Sequence, residues 1–244
     1  MLSQDRVANV YALTDLEPPY ESYTTVAVAQ DDQGGTAACL VVRHPAFTGV
    51  VTHGNSDGVR LLLASIELPK ETFLDVPAAH RPVFEQRFVF TDPHERLLMA
   101  VRPDTLYSAS VTAAAPVRLG PADLEDLIDL YAGYEASAFH PAQLEYGVFC
   151  GIREGARLVA AGGTPGLALR SATAVVTSVF TRPEARRRGF GAAITGAVTE
   201  ALFALGCDIV SLDVEVDNLA ARRIYERLGY QAHSIRLQGA AMLR

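Results

Sequence analysis

The chain has 244 residues, of which 49% are apolar and 20% charged, with a formal net charge of −7. This composition supplies packed cores and excludes disorder as the main state. An acidic chain whose one basic cluster is Arg186–Arg188 offers no broad nucleic-acid surface, and no stretch reaches the ~18 apolar residues of a membrane span. The opening Met1-Leu2-Ser3-Gln4-Asp5-Arg6 lacks the basic-then-apolar pattern of a secretory leader. Cys39, Cys150 and Cys207 are scattered, as suits reduced core thiols in a cytoplasm, and the six histidines have no ligand spacing, so no metal is expected.

In chain order, Tyr23–Ala29 and Thr36–Arg43 read as strands split by the turn Asp31-Asp32-Gln33-Gly34-Gly35. Thr48–Thr52 is a short β-branched strand. Asp57–Ile66 has helical spacing, with Val59, Leu62, Leu63 and Ile66 on one side. Thr72–Val76 is a strand, Ala79–Phe88 a helix and Arg96–Val101 a closing strand. Arg102–Val117, with Pro103 and Pro116, is the linker. Pro121–Tyr134 is a helix with a stripe of Leu124, Leu127, Ile128 and Tyr131. Gly147–Arg153 and Arg157–Gly162 form a strand pair, and Ala172–Thr181 is a strong strand. Gly189–Leu205 is an amphipathic helix whose buried face holds Phe190, Ile194, Ala197, Val198, Ala201, Leu202 and Leu205, closed by Gly206. Ile209–Val216 is a strand. Asn218–Leu228 is a helix capped by Asn218 and Gly229, and a last strand runs from Tyr230 to Leu237.

The halves echo each other. Arg81-Pro82-Val83-Phe84-Glu85-Gln86 lies over Arg222-Arg223-Ile224-Tyr225-Glu226-Arg227, and a strand and helix precede each in the same order. This pattern predicts a duplicated α/β unit, cut into residues 1–115 and 116–244.

The chemistry gathers in Ser178-Val179-Phe180-Thr181-Arg182-Pro183-Glu184-Ala185-Arg186-Arg187-Arg188-Gly189-Phe190-Gly191. A strand ends, a loop follows, and a helix begins at the glycines. Helix starts carry unpaired N–H groups and partial positive charge, so three arginines there are understandable around a bound anion. Glycines let backbone amides approach phosphate oxygens, and a pyrophosphate is the natural occupant. The bland reading is a solvated basic turn.

Arg186-x-x-Gly189-x-Gly191 after a β-rich strand resembles the pyrophosphate loop of the GNAT superfamily of acetyltransferases. Asn218-Leu219-Ala220-Ala221-Arg222-Arg223-Ile224-Tyr225-Glu226-Arg227-Leu228-Gly229-Tyr230 resembles that family's second signature, with Tyr230 in place of Phe. The resemblance covers about Val117–Leu237. The first half looks like a second, degenerate copy. The fold implied is α/β: two tandem GNAT-like units, each a mixed twisted β-sheet flanked by helices.

The resemblance implies that Val179, Phe180 and Thr181 splay from the neighbouring strand, bind the thioester carbonyl and pantetheine amides, and form an oxyanion hole. Arg186, Arg187, Arg188, Gly189, Phe190, Gly191 and Ala192 would wrap the pyrophosphate of acetyl-CoA. Asn218 would contact the pantetheine arm. Tyr225, about two helical turns from Asn218, would be the general acid that protonates the departing thiolate. The acceptor would be an amine, attacked directly without a covalent enzyme intermediate. An acidic chain favours a cationic amine, and a homodimer is compatible with the sequence. For the base, Asp213 and Glu215 share a strand face, and Glu135 and His140 follow the helix ending near Tyr134; Glu215 is the first choice and Glu135 the second.

Three rivals remain. A dinucleotide fold needs a small third residue where Ile194 stands, and a strand leading straight into the first glycine. A serine hydrolase would use Ser56 in Gly54-Asn55-Ser56-Asp57-Gly58, which matches a nucleophile elbow. Too little chain precedes it for that fold, so the segment reads as a turn with Ser56 or Asp57 capping a helix. Finally, the chain could bind acyl-CoA as an inactive sensor. The first half, with no Arg-x-x-Gly-x-Gly and with Phe84 where Tyr225 stands, would bind no CoA.

Overall fold

A computed structural model of the chain describes residues 1–30, 34–45, 47–108, 114–134 and 139–244. Two compact units divide it. The first takes Met1–Leu98, Val214–Asp217 and Ala232–Arg244; the second takes Met99–Asp213 and Asn218–Gln231.

The first unit begins with helix α1 (Val10–Asp15) and strands β1 (Thr24–Gln30), β2 (Thr36–His44) and β3 (Phe47–Gly54). Helix α2 (Ser56–Ser65), β4 (Glu71–Pro77), α3 (Arg81–Glu85), β5 (Phe88–Phe90) and β6 (His94–Val101), which passes into the second unit at Met99, follow. In the second come β7 (Val117–Leu119), α4 (Leu124–Tyr131), α5 (Gln143–Tyr146), β8 (Phe149–Glu154), β9 (Arg157–Gly163), β10 (Leu167–Ala168), β11 (Thr173–Thr181), α6 (Phe190–Ala204), β12 (Ile209–Glu215), of which Val214 and Glu215 belong to the first unit, and α7 (Leu219–Arg227). The last strand is β13 (Gln231–Leu243).

Each unit holds the same segment. In the first, β1, β2 and β3 pair antiparallel, and β3 pairs with β4 in parallel. In the second, β8, β9 and β11 pair antiparallel, and β11 pairs with β12 in parallel. A parallel pair needs a crossover, and helices α2 and α6 supply it. β13 pairs antiparallel with β4, from Arg236↔Pro77 to Met242↔Glu71, and β7 extends the second sheet beyond β8.

Burial explains the elements. From Ala37 to Val42, β2 is buried on both faces, as suits a strand covered on both sides. Val59, Leu62 and Leu63 of α2 pack with Val50, Leu74 and Phe84 in the first core. Leu127, Leu130 and Tyr131 of α4 pack with Phe149, Ala161 and Phe180 in the second. Gly162 of β9 admits α6 closely: a β-carbon there would lie 2.8 Å from Ile194 Cγ2. Gly229, at φ +93°, closes α7; a β-carbon would sit 1.8 Å from the Thr105 carbonyl oxygen.

Several elements differ from the sequence pattern. Ala79–Phe88 is not one helix. A 3-10 turn covers Ala78–His80, Pro82 opens the short α3, and Phe88 already belongs to β5, buried 5.9 Å from the Phe84 ring. In α4 the buried positions include Leu130, while Ile128 is 52% exposed. Leu205 is half exposed because α6 ends one residue earlier. The pattern did not announce α1, α5 or β10. Part of the expected turn at Asp31–Gln33 and of the expected linker lies outside the described residues.

Candidate active site

β11 leaves its parallel neighbour before either strand ends. Pairing with β12 stops at Val176↔Leu212, while β11 runs on to Thr181 and β12 to Glu215. On its other side, the register with β9 shifts between Thr177↔Gly163 and Phe180↔Ala161, which marks a bulge. Ser178 sits in this bulge with φ +52°, a backbone region that residues bearing a β-carbon rarely adopt. The Tyr131 hydroxyl donates to the Ser178 carbonyl at 2.8 Å. The expected splay at Val179–Thr181 thus has a geometric cause: the strand is bent by an extra residue where its parallel pairing ends.

The chain then turns to α6. Buried Arg182 donates through Nε to the Leu158 carbonyl at 2.9 Å and through its guanidinium to Asp129. Pro183–Ala185 forms a 3-10 turn. Arg186, Arg187 and Arg188 are exposed. Arg187 has φ +63° and Gly189 φ +81°. Gly189 is the N-cap of α6 and supplies no capping side chain, and the first helical bond runs from the Ala193 N–H to the Gly189 carbonyl at 3.0 Å. Helix geometry therefore leaves the amides ahead of Ala193 as donors at the positive end of a 15-residue dipole. A β-carbon on Gly191 would meet nothing within 4 Å, so the approach to these amides is open.

Two of the arginines are tethered. Arg186 Nε donates to the Thr181 carbonyl at 3.2 Å, and its guanidinium lies 5.9 Å from the centre of the Phe180 ring, which stacks on Tyr134. Arg188 pairs with Glu154 and lies 4.7 Å over the buried Phe190 ring; this pairing holds the Glu154 carboxyl below the usual range. Phe190 and Ala192 enter the first turn, with Phe190 buried and Ala192 half-buried.

Asn218 caps α7: its Oδ1 accepts the Ala221 N–H at 3.1 Å. Half-buried Tyr225 lies two turns along the same helix, and its ring centroid is 6.1 Å from that of Tyr230. The Tyr230 hydroxyl is hydrogen-bonded to Thr199 Oγ1 at 2.7 Å, linking the segment after α7 to α6. Burial pushes the Tyr230 phenol pKa up, so it remains a neutral group.

The base candidates scatter. Glu215, at the end of β12, is 3.4 Å from Arg96. His140 accepts the Ala142 N–H on Nδ1 at 3.3 Å, a local turn contact. Asp213 is half-buried. Glu135 lies outside the described residues.

At Gly54–Gly58 the cap is Asn55, rather than Ser56 or Asp57, and its Oδ1 accepts the Gly58 N–H at 2.7 Å. Ser56 Oγ is 3.5 Å from the Ala79 carbonyl. The imidazole of His80 bonds Thr52 Oγ1 through Nδ1 and the Gly54 carbonyl through Nε2, both at 2.9 Å. Neither nitrogen is left to activate Ser56, so no hydrolytic dyad forms between them.

The contact between Tyr131 and Ser178 was not visible in the sequence. Tyr131 fits an apolar helix stripe, and a serine inside a β-branched strand carries no sign of a left-handed backbone. Among the described residues, no group of three His, Cys, Asp or Glu side chains is arranged for a metal, and no helix is long and apolar enough to cross a membrane.

Against this geometry, the sequence profile of the Acetyltransferase (GNAT) family matches residues 121–230. That segment is a GNAT acetyltransferase domain, and the family transfers acyl groups from acetyl-CoA. No curated protein sequence matches the chain. Among solved structures, a GCN5-related N-acetyltransferase from Kribbella flavida is similar over 100% of this chain and 99% of its own, at 20% identity and TM-score 0.69. A protein assigned to the GNAT family of acetyltransferases from Novosphingobium aromaticivorans covers 95% and 96%, at 20% identity and TM-score 0.66. A tandem GNAT protein from the clavulanic acid biosynthesis pathway covers 96% and 87%, at 14% identity and TM-score 0.53. At these identities the likenesses establish the fold.

Proposed function

We propose that the chain is an acetyl-CoA-dependent N-acetyltransferase that acetylates a primary amine of a small-molecule acceptor, with its cofactor site in the domain proposed for residues 116–244. One observation carries the proposal: α6 starts at an uncapped glycine, directly after three exposed arginines and a strand that has parted from its neighbour. These residues fit the cofactor. The amides at Gly189–Ala192 and the guanidinium groups of Arg186–Arg188 would hold the diphosphate. Backbone groups of Val179, Phe180 and Thr181 would line the pantetheine arm and thioester, with Asn218 beside that arm. Acetyl-CoA supplies an activated acyl group on a thiolate leaving group.

Tyr225 is proposed to deliver a proton to that sulfur, since a phenol is a donor of suitable acidity for a thiolate. Glu215 is the proposed base toward the amine, directly or through water. The first unit is proposed as a degenerate copy that binds no CoA.

The test is an acetyl-CoA turnover screen over putrescine, free amino acids, an aminoglycoside and a peptide with a free α-amine, run with wild type and Tyr225→Phe. The expected result is turnover by wild type and a loss of about 100-fold in kcat for Tyr225→Phe, at unchanged acetyl-CoA affinity. Unchanged turnover in the variant removes Tyr225 from the mechanism. Binding without turnover by wild type makes the protein an acyl-CoA sensor.

A further inference from the structure

We infer that Tyr131 is a positioning residue for the acyl group, acting through the peptide that joins Ser178 to Val179. The inference rests on the acetyl-CoA reading above and adds to it a residue outside both sequence motifs.

The bulge places a strained residue where the strands part. Ser178 is the second residue after the last parallel pair, Val176↔Leu212, and it falls inside the register shift against β9. Bulges with a left-handed first residue ordinarily use glycine there, because a β-carbon crowds the following carbonyl. Ser178 nonetheless holds φ +52° and is 7% exposed. Strained conformations persist where their surroundings over-determine them. A buried hydrogen bond, 2.8 Å long, from the Tyr131 hydroxyl to the Ser178 carbonyl holds this peptide.

That bond has a consequence one atom further on. In a planar trans peptide, the carbonyl of Ser178 and the N–H of Val179 point in opposite directions. Fixing the carbonyl on a phenol of α4 therefore fixes the Val179 N–H toward the opposite side of the strand. Donation to the carbonyl also polarises the peptide and strengthens its N–H as a donor. Val179 is one of the residues proposed to meet the thioester carbonyl. Burial, with a smaller contribution from Tyr134, raises the pKa of the Tyr131 phenol, so it stays protonated and able to donate.

The experiment is calorimetry with acetyl-CoA and CoA as separate probes, on wild type and Tyr131→Phe. The same comparison is made in Ser178→Gly and Ser178→Ala backgrounds. Loss of the hydroxyl is expected to weaken acetyl-CoA about tenfold and CoA less than about twofold, because only the first carries the thioester carbonyl. In the Ser178→Gly background the acetyl-CoA loss should shrink to less than about threefold, since glycine adopts a left-handed backbone without being held. Ser178→Ala keeps the β-carbon and should not rescue. Equal weakening of both probes, no weakening, or equal rescue by alanine overturns the inference. If Tyr131→Phe does not fold alone but folds with Ser178→Gly, strain relief is confirmed; if neither folds, the phenol is a structural prop and the inference falls. Wild type that binds neither probe overturns the acetyl-CoA reading, a result distinct from any of these.

Discussion

Helices α2 and α6 occupy the same place in two strand–helix–strand segments, yet they begin in opposite ways. At α2, Asn55 Oδ1 accepts the Gly58 N–H, so the chain satisfies part of its own helix entrance. At α6, Gly189 brings no side chain and the approach over Gly191 is open. The parallel strands repeat the contrast. β3 and β4 are paired as far as Val51↔Asp75, and beyond it the His80 imidazole bonds Thr52 and the Gly54 carbonyl at the end of β3. β11 parts from β12 after Val176↔Leu212 with a bulge in its place. One scaffold thus supports two outcomes. Where side chains satisfy backbone groups, we propose a structural segment; where glycines and a bulge leave them facing outward, we propose the place for a ligand.

The largest effect should come from Gly191→Glu. The new side chain enters open space, and a carboxylate in the first turn of a helix favours the dipole by about 0.3–1 kcal/mol. The thermal midpoint should therefore hold or rise. The same carboxylate repels a diphosphate, and acetyl-CoA affinity should fall by about 100-fold or more. Affinity unchanged in this variant would place the cofactor elsewhere.

Asn55→Ala is the mirror experiment at α2. Losing an N-cap costs about 1 kcal/mol of stability, seen as a lower urea midpoint. Acetyl-CoA affinity should stay at the wild-type value, because this entrance is proposed to take no cofactor. A parallel loss of affinity would show that the entrance to α2 also binds.

The smallest effect concerns His80. Burial lowers its pKa from the usual 6.5, with the Gly54 hydrogen bond opposing and His53 and Arg236 adding to the lowering. The unfolded chain then takes up protons before the folded one does. The histidine's contribution to stability is present above about pH 6.5 and is lost as pH falls through that value toward the lower folded pKa. Asp15 acts in the opposite sense: burial raises its carboxyl to about 7, so its contribution is present at acid pH and fades as pH rises toward 7. Subtracting the melting curves of His80→Asn from wild type between pH 5 and 8 isolates the histidine. The difference should fall on acidification; a flat difference would mean that protonation of His80 does not matter.

The contrast between the entrances was partly legible in sequence. Arg186–Gly191 and Asn218–Tyr230 are contiguous, and glycine spacing announces a helix start directly, so both motifs fell on the elements expected. At α2 the same reasoning named Ser56 or Asp57 as the cap, because all three side chains at 55–57 can accept an amide; only backbone geometry selects Asn55. His80 could not be read as a filler of the strand end, since Thr52 and Gly54 lie 28 and 26 residues away in sequence. The pairing of β13 with β4 joins residues 159 to 171 positions apart, and local periodicity carries no information on partners at that range. Tyr131 and Ser178 were hidden for a related reason: a hydroxyl on a buried stripe and a left-handed serine depend on a contact across 47 residues.

Counting acetyl-CoA molecules per chain by calorimetry tests the contrast most directly. One molecule per chain for wild type, and none at the same concentrations for Gly191→Glu with its melting point kept, is the predicted result. Two per chain, or one that survives Gly191→Glu, would contradict it.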